Sequence, residues 1–240
     1  MYPQSNSARS VRDLSGVWDF RFNANEPWQP IAVPASYNDQ SPDPEFRRHY
    51  GMAYYRTTFT VPEGARRVLR FDAVTHNAVV RLNGQEIASH RGGFLPFEAD
   101  ITALAQPGET VTLDVEVDNR IGHSSLPVGN EGGTAFFGSD NAGIPAVEAG
   151  KARQQAQGIN LPNFDFFNYA GITRPVHLCT TPAAYIRDVT VAADMTGTLR
   201  YTVDTVGEGS VKVEILDAED RVVACADGAA GTVQVENARL

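Results

Sequence analysis

The chain has 240 residues, of which 42% are hydrophobic and 20% are charged. This composition excludes an intrinsically disordered protein and fits one or two folded domains. The net charge of −9 argues against a nucleic acid or an anionic membrane as partner, because both attract basic proteins.

The first half of the sequence predicts β-strands separated by turns. Residues 14–22 alternate, with Trp18 and Phe20 on the same side. Asn83-Gly84 lies between two alternating segments and predicts a two-residue hairpin, because both turn positions need positive φ. Further strands are predicted at residues 53–61, 67–72, 78–82, 85–89, 110–118 and 172–179.

Residues 120–162 differ from the rest of this half. They are rich in Gly, Ser, Asn and Ala, and their apolar positions show no sustained period. A loop of this length inside a compact domain is usually functional or disordered.

The nearest approach to a basic cluster is formed by Arg66, Arg67 and Arg70, and it is predicted to be the solvated face of a strand.

A domain boundary is predicted at Thr180-Thr181-Pro182, which gives domains 1–181 and 182–240. Five further strands follow at residues 185–193, 198–206, 210–216, 221–226 and 232–236. Many short strands with almost no helical periodicity predict an all-β protein, a jelly-roll sandwich followed by an immunoglobulin-like sandwich. An immunoglobulin-like domain needs about seven strands, so the second domain is expected to be incomplete and the chain truncated.

The cysteines and the N-terminus give no indication of a metal site, a disulfide scaffold or secretion. Cys179 and Cys225 fit neither a disulfide scaffold nor a zinc site, and we expect two reduced thiols in strands. No apolar run is long enough for a membrane-spanning helix. The polar N-terminus lacks the features of a secretory signal, so a cytoplasmic location is expected.

The segment 163–171 combines three phenylalanines and a tyrosine with one carboxylate, Asp165, and two amides. Aromatic rings stack on the apolar faces of pyranose rings, and carboxylates and amides bind sugar hydroxyls. The same composition also suits core packing, with Asp165 in a turn or a salt bridge. The residues alone leave both interpretations open.

Four stretches resemble the jelly-roll sugar-binding domain of glycoside hydrolase family 2, and within it the bacterial β-glucuronidases in particular. They are VPASYNDQ (33–40), RFDAVTH (70–76), GGFLPFEAD (92–100) and DFFNYAGI (165–172). The resemblance extends from about residue 14 to the last residue. Residues 128–157 depart from it, because the family has a different and variable loop there.

The resemblance implies a retaining enzyme that hydrolyses β-D-glucuronides and consists of a jelly roll, an immunoglobulin-like sandwich and a catalytic TIM barrel. Both catalytic glutamates belong to the barrel, so no catalytic residue is expected in this chain, which should be inactive alone. The family needs no metal or organic cofactor, and its members usually form homo-oligomers. Asp165 matches the aspartate that the jelly roll sends to the substrate.

Other motifs are given structural roles. Asn130-Glu131 matches the dipeptide that carries the acid/base in many retaining glycosidases, but no strand precedes it, so we expect a solvated loop acid. His76 and His90 are assigned to folding, and Gly171 to a tight turn. The alternatives to a β-glucuronidase fragment are a stand-alone carbohydrate-binding module, a structural piece that docks on a barrel, and the front end of a β-galactosidase or β-galacturonidase.

Overall fold

The computed structural model describes residues 3–122, 125, 126, 160 and 167–236. The chain divides into two compact units, Met1–Thr180 and Thr181–Leu240. Each unit consists mainly of β-strands around a hydrophobic core of its own. The all-β architecture that the sequence predicts is confirmed.

The first unit contains twelve strands within the described residues. They are β1 (Ser10–Asp13), β2 (Gly16–Arg21), β3 (Gln29–Val33), β4 (Met52–Thr60), β5 (Arg66–Phe71), β6 (Val74–Thr75), β7 (Asn77–Leu82), β8 (Gln85–Arg91), β9 (Phe97–Asp100), β10 (Thr110–Asp118), β11 (Gly171–Ile172) and β12 (Val176–Thr181). Between β3 and β4 lie a 3₁₀ turn at Tyr37–Asp39 and the short helix α1 at Pro44–Arg48.

Two sheets of the first unit share one core. Within the described residues, one sheet has the order β3-β2-β4-β10-β7-β8 and the other the order β1-β12-β5-β9, with the ribbon β11-β6 beside them. Leu113 and Val80 from the first sheet belong to the same buried cluster as Leu69 and Leu178 from the second. The unit is therefore a β-sandwich, held mainly by apolar side chains removed from water.

Alternation explains why these segments form strands. Along β10 every second residue is buried, namely Val111, Leu113, Val115 and Val117, as the sequence predicts. The Asn83-Gly84 hairpin is also confirmed, since φ is 49° at Asn83 and 84° at Gly84 between the paired ends of β7 and β8.

The formation of helix α1 is explained by residues close together in the sequence. The Asp43 side chain accepts a hydrogen bond from the main-chain N of Glu45 at 2.9 Å, and Pro44 occupies the first turn, where its missing N–H costs nothing. Phe46 buries the inner side of the helix against the core.

The second unit contains the strands β13 (Tyr185–Ala193), β14 (Thr198–Val206), β15 (Lys212–Leu216), β16 (Val222–Asp227) and β17 (Ala230–Gln234). Two small sheets are formed, with the orders β13-β14-β17 and β15-β16. Tyr201, Val203 and Val233 are buried between them. The strands lie close to the predicted positions.

The prediction for the basic cluster was wrong. Arg67 is buried, and its guanidinium donates to the main-chain oxygens of Thr102 at 2.6 Å and of Gly64 at 3.3 Å. Arg70 is half-buried and donates to the carboxylate of Asp72 at 2.8 Å. These arginines bind polar groups of their own unit and do not form a solvated cationic face.

Candidate functional site

The proposed sugar contact, Asp165, lies outside the described residues, as do Asn130, Glu131 and most of the predicted loop 120–162. Described residues stand on both sides of it in the chain. Asn160 precedes it, and the segment from Phe167 to Gly171 follows it. The structure therefore describes the site through the positions and contacts of these flanking residues.

The end of this segment is fixed to the sandwich by main-chain hydrogen bonds. Gly171 and Ile172 form β11 and pair with β6. One residue earlier, the oxygen of Ala170 accepts from the main-chain N of Tyr37 at 3.1 Å and from Ser36 Oγ at 3.0 Å. The N–H of Ala170 donates to Asn38 Oδ1 at 2.9 Å. The 3₁₀ turn at Tyr37–Asp39 therefore holds residue 170 through several bonds.

Gly171 has φ +124° and packs closely against the core. A Cβ atom at this position would lie 2.6 Å from Tyr55 Oη and 3.2 Å from the main-chain oxygen of Ala35. The sequence suggests a tight turn here, but the residue begins a strand. Glycine is needed because the backbone conformation and the contact with Tyr55 both exclude a side chain.

A buried polar network lies under the segment. We call it the amide network and define it as His76, Asn38, Asn119, Asn160 and Asn168, each at most 3% exposed. Buried amides are costly unless their hydrogen bonds are made. That four buried amides and one buried imidazole lie together indicates that they hold a particular local conformation.

Asn168 is at the centre of the amide network. Its Nδ2 donates to the main-chain oxygen of Asn119 at 2.8 Å, which fixes the orientation of the amide, and its Oδ1 faces Nε2 of His76. Its own main-chain oxygen accepts from Asn160 Nδ2 at 2.8 Å. Asn119 in turn binds the residues just before β4, because its Nδ2 donates to the oxygen of His49 and its Oδ1 accepts from the N–H of Gly51, both at 2.8 Å.

The protonation state of His76 follows from its surroundings. Because Asn168 Oδ1 can only accept, Nε2 of His76 carries the proton. Burial lowers the pKa of His76 below its usual 6.5, since the charged imidazolium is poorly solvated there. His76 is therefore neutral near pH 7, with a defined tautomer.

An arginine from α1 lies beside the two aromatic rings of the segment. The guanidinium of Arg47 lies 4.3 Å from the ring centre of Phe167 and 5.8 Å from that of Tyr169, within cation–π range. Arg47 also forms an ion pair with Asp39. Tyr169 is 43% exposed and Phe167 is partly buried. Arg47 thus supports the aromatic part of the motif from α1.

The other residues named from the sequence are His90, Cys179 and Cys225, and the contacts of His90 are those of a structural residue. His90 stacks on Phe97 at 4.4 Å between ring centres and binds the oxygen of Gly92. Cys179 and Cys225 are free thiols. In the described part of the chain, no group of three or more His, Cys, Asp or Glu side chains could hold a metal ion. Nor does any described helix have the length and apolar character needed to cross a membrane.

The amide network was not found from the sequence, apart from the amide of Asn168 inside the aromatic segment. Asn38, Asn119 and Asn160 lie in segments with the composition of surface loops. Asn38 belongs to the stretch VPASYNDQ, which carries part of the resemblance to the family and is the one sequence signal for this residue. His76 was assigned to folding, and the structure places it under the candidate segment.

The sequence profile of glycosyl hydrolases family 2, sugar binding domain, matches residues 11–182. A β-glucuronidase from Paenibacillus borealis is 36% identical over 262 aligned residues, which cover 100% of this chain and 41% of that protein.

Two solved structures are similar along the whole chain. Faecalibacterium prausnitzii β-glucuronidase is 54% identical with a TM-score of 0.84, over 99% of this chain and 42% of that one. Bifidobacterium dentium β-glucuronidase complexed with coumarin-3-O-glucuronide is 44% identical with a TM-score of 0.83, over 100% and 44%. The chain spans less than half the length of these relatives. It belongs to glycosyl hydrolase family 2 and contains the sugar binding domain of that family.

Proposed function

We propose that this chain is the N-terminal, non-catalytic part of a retaining β-glucuronidase, an enzyme that hydrolyses β-D-glucuronides. The observation that carries this proposal is the similarity to β-glucuronidases over the whole chain, at 54% identity for the Faecalibacterium prausnitzii enzyme. A β-glucuronide as substrate is supported by the Bifidobacterium dentium relative, which was solved with coumarin-3-O-glucuronide.

The chemistry of the reaction determines which part of the enzyme has to supply the catalytic groups. Retaining hydrolysis uses two carboxyl groups about 5 to 5.5 Å apart, one as nucleophile and one as acid and base. We place both in a catalytic barrel outside this chain, since the chain spans only 41% of the Paenibacillus borealis relative. The chain alone is then inactive, and no metal or organic cofactor is required because the two carboxyl groups carry every step.

Asp165 is the part of this chain that we assign to the substrate. An ionised carboxylate accepts charge-assisted hydrogen bonds from sugar hydroxyls, and such bonds strengthen as the oxocarbenium-like transition state forms. The support from the structure comes from the residues that follow Asp165 in the chain. In the sequence only Phe166 and Phe167 separate Asp165 from Asn168, and Asn168 and Ala170 are fixed by buried hydrogen bonds.

The remaining assignments are further predictions. We expect the full-length enzyme to form a homo-oligomer in the cytoplasm. We also assign residues 1–181 to a jelly-roll sugar-binding domain and residues 182–240 to part of an immunoglobulin-like domain.

Substrate preference tests the proposal. The full-length protein is purified and given the nitrophenyl glycosides of β-glucuronic acid, β-galactose and β-galacturonic acid in parallel. We expect kcat/KM to be highest for the glucuronide. A preference for the galactoside or the galacturonide would replace the proposed substrate by that of another family 2 enzyme.

A further inference from the structure

The loop between β8 and β9 exposes three consecutive apolar residues, Phe94, Leu95 and Pro96, which we call the apolar loop tip. Phe94 is 51% exposed and Leu95 is 65% exposed. Single exposed apolar side chains are common on protein surfaces. A run of three on one loop is unusual unless it forms part of a contact surface.

The residues before the apolar loop tip are fixed on β6. The main-chain N of Gly92 donates to the oxygen of His76 at 3.0 Å, and the oxygen of Gly93 accepts from Thr75 Oγ1 at 3.0 Å. Gly93 is buried, and a Cβ atom on it would lie 2.8 Å from Thr75 Cγ2 and 3.1 Å from His76 Nδ1. The loop therefore lies directly against β6 at this point.

The residue after the apolar loop tip is fixed as well. Phe97 begins β9, and its ring stacks on Phe71 at 4.9 Å and on His90 at 4.4 Å between ring centres. A hydrogen bond of 3.0 Å joins Nε2 of His90 to the oxygen of Gly92 across the base of the loop. With both ends held, the tip can withdraw its side chains from water only by breaking these contacts. The exposure of Phe94 and Leu95 is thus built into the loop.

The apolar loop tip lies in the same region of the first unit as the described end of the candidate segment. Gly93 packs on Thr75, and Thr75 pairs with Gly171 in the ribbon of β6 and β11. The ring centre of Phe94 lies 6.1 Å from that of His76, the residue after Thr75. A partner that covers this region would meet both the loop tip and the start of β11.

The size of the apolar loop tip favours a partner on the same polypeptide. A stable contact between two separate proteins buries about 800 Å² on each of them, which takes roughly 20 to 30 residues a side. Three side chains fall far short of this area. A covalently attached partner needs less, because attachment raises its effective concentration to the millimolar range. The chain spans 41% of the Paenibacillus borealis relative and 42% of the Faecalibacterium prausnitzii relative, so proteins of that length contain a large further part.

We propose that the apolar loop tip docks into an apolar recess on the catalytic part of the full-length enzyme. The inference rests on the proposed function, which places that part outside this chain, and it adds the surface by which the described domain contacts it. The side chains of Phe94, Leu95 and Pro96 carry no charge and no hydrogen-bonding group, so the recess that receives them is apolar. Docking removes their exposed area from water, which stabilises the contact.

Hydroxyl-radical footprinting with mass spectrometry tests the docking, since it measures how fast each side chain reacts in water. The full-length enzyme and the 240-residue chain are compared over a range of protein concentrations. We expect Phe94 and Leu95 to react at least about fivefold more slowly in the full-length enzyme, at every concentration, because the centre of a protein contact excludes water.

Leu95→Asp tests the same contact through stability. In the 240-residue chain Tm should change by less than about 2 °C, because the side chain is already exposed. In the full-length enzyme the first thermal transition should fall by at least about 3 °C, because the new carboxylate would be buried against apolar groups. Val17→Asp is the matched control: Val17 is 75% exposed on β2, and both proteins should keep Tm within about 2 °C.

Four results would overturn the inference. One is equal reaction rates of Phe94 and Leu95 in the chain and in the full-length enzyme, and another is an equal change of Tm for Leu95→Asp in both. Protection that appears only as the protein concentration rises would identify a second copy as the occupant. Slow reaction already in the 240-residue chain would identify a segment of the chain itself. Footprinting needs no activity, so a preference for another glycoside would reject the proposed substrate and leave the docking surface standing.

Discussion

Gly171 packs so closely against Tyr55 that a Cβ atom on residue 171 would lie 2.6 Å from the tyrosine hydroxyl oxygen. Tyr55 is fully buried in β4, so it has no space into which it can move. Strand β11, and with it the segment after Asp165, sits at its observed depth because residue 171 lacks a side chain.

Substitution at Gly171 tests this contact. Gly171→Ala should lower the free energy of unfolding by about 2 to 4 kcal/mol, because positive φ and overpacking against Tyr55 act together. Gly84→Ala is the matched control, with positive φ but open space around the Cβ position, and should cost about 1 kcal/mol. Urea unfolding of both variants measures the difference, and equal losses would show that the contact with Tyr55 carries no cost.

Stability should fall as the pH is lowered through the range in which histidine titrates. Burial lowers the pKa of both His49 and His76 from 6.5, so below that pH the unfolded chain binds protons that the folded chain does not. The free energy of unfolding therefore decreases as pH falls below 6.5. The carboxyl groups of Asp13 and Asp100, whose pKa values are lowered from 3.8, act only at lower pH.

Thermal unfolding of the chain between pH 7.5 and pH 5.0 measures this effect. We expect Tm to decrease towards pH 5.0, and the decrease to be smaller in His49→Gln, which removes one of the two titrating groups. A Tm that is constant or that rises towards pH 5.0 would contradict the burial of neutral histidines.

The isolated chain distinguishes a fragment from a carbohydrate-binding module. If Asp165 supplies only one contact of a site shared with a barrel, the chain should bind glucuronic acid with a Kd above about 1 mM and hydrolyse no glucuronide. Calorimetric titration and a chromogenic assay measure the two properties. A Kd in the micromolar range would favour a stand-alone binding module, and turnover that survives repurification would place catalytic groups in this chain.

The strands could be predicted because their signals are local. The alternation in β10, the Asn83-Gly84 turn and the aromatic residues of β2 each lie within about ten residues of sequence. β1 and β3 were not predicted, since β1 is mostly exposed and β3 has only two buried residues. Helix α1 has five residues, too few for a helical period to be visible.

The amide network could not be predicted, because its contacts join residues far apart in the chain. His76 and Asn168 are 92 residues apart, and Asn168 and Asn119 are 49 apart. The sequence does not distinguish a buried asparagine from one in a surface loop, so only the neighbours in the folded structure identify it as buried. The burial of Arg67 could not be predicted for the same reason, since its acceptor on Thr102 lies 35 residues away in the sequence.

The central claim is that Asp165 contacts the sugar, and its substitution in the full-length enzyme tests that claim most directly. Asp165→Ala should lower kcat/KM for a nitrophenyl glucuronide by about 30- to 1000-fold, which corresponds to about 2 to 4 kcal/mol of lost hydrogen bonding in the transition state. Glu131→Ala removes the loop acid of the Asn-Glu pair and should leave kcat/KM unchanged. A folded Asp165→Ala enzyme with normal kcat/KM would remove Asp165 from the site and contradict the account.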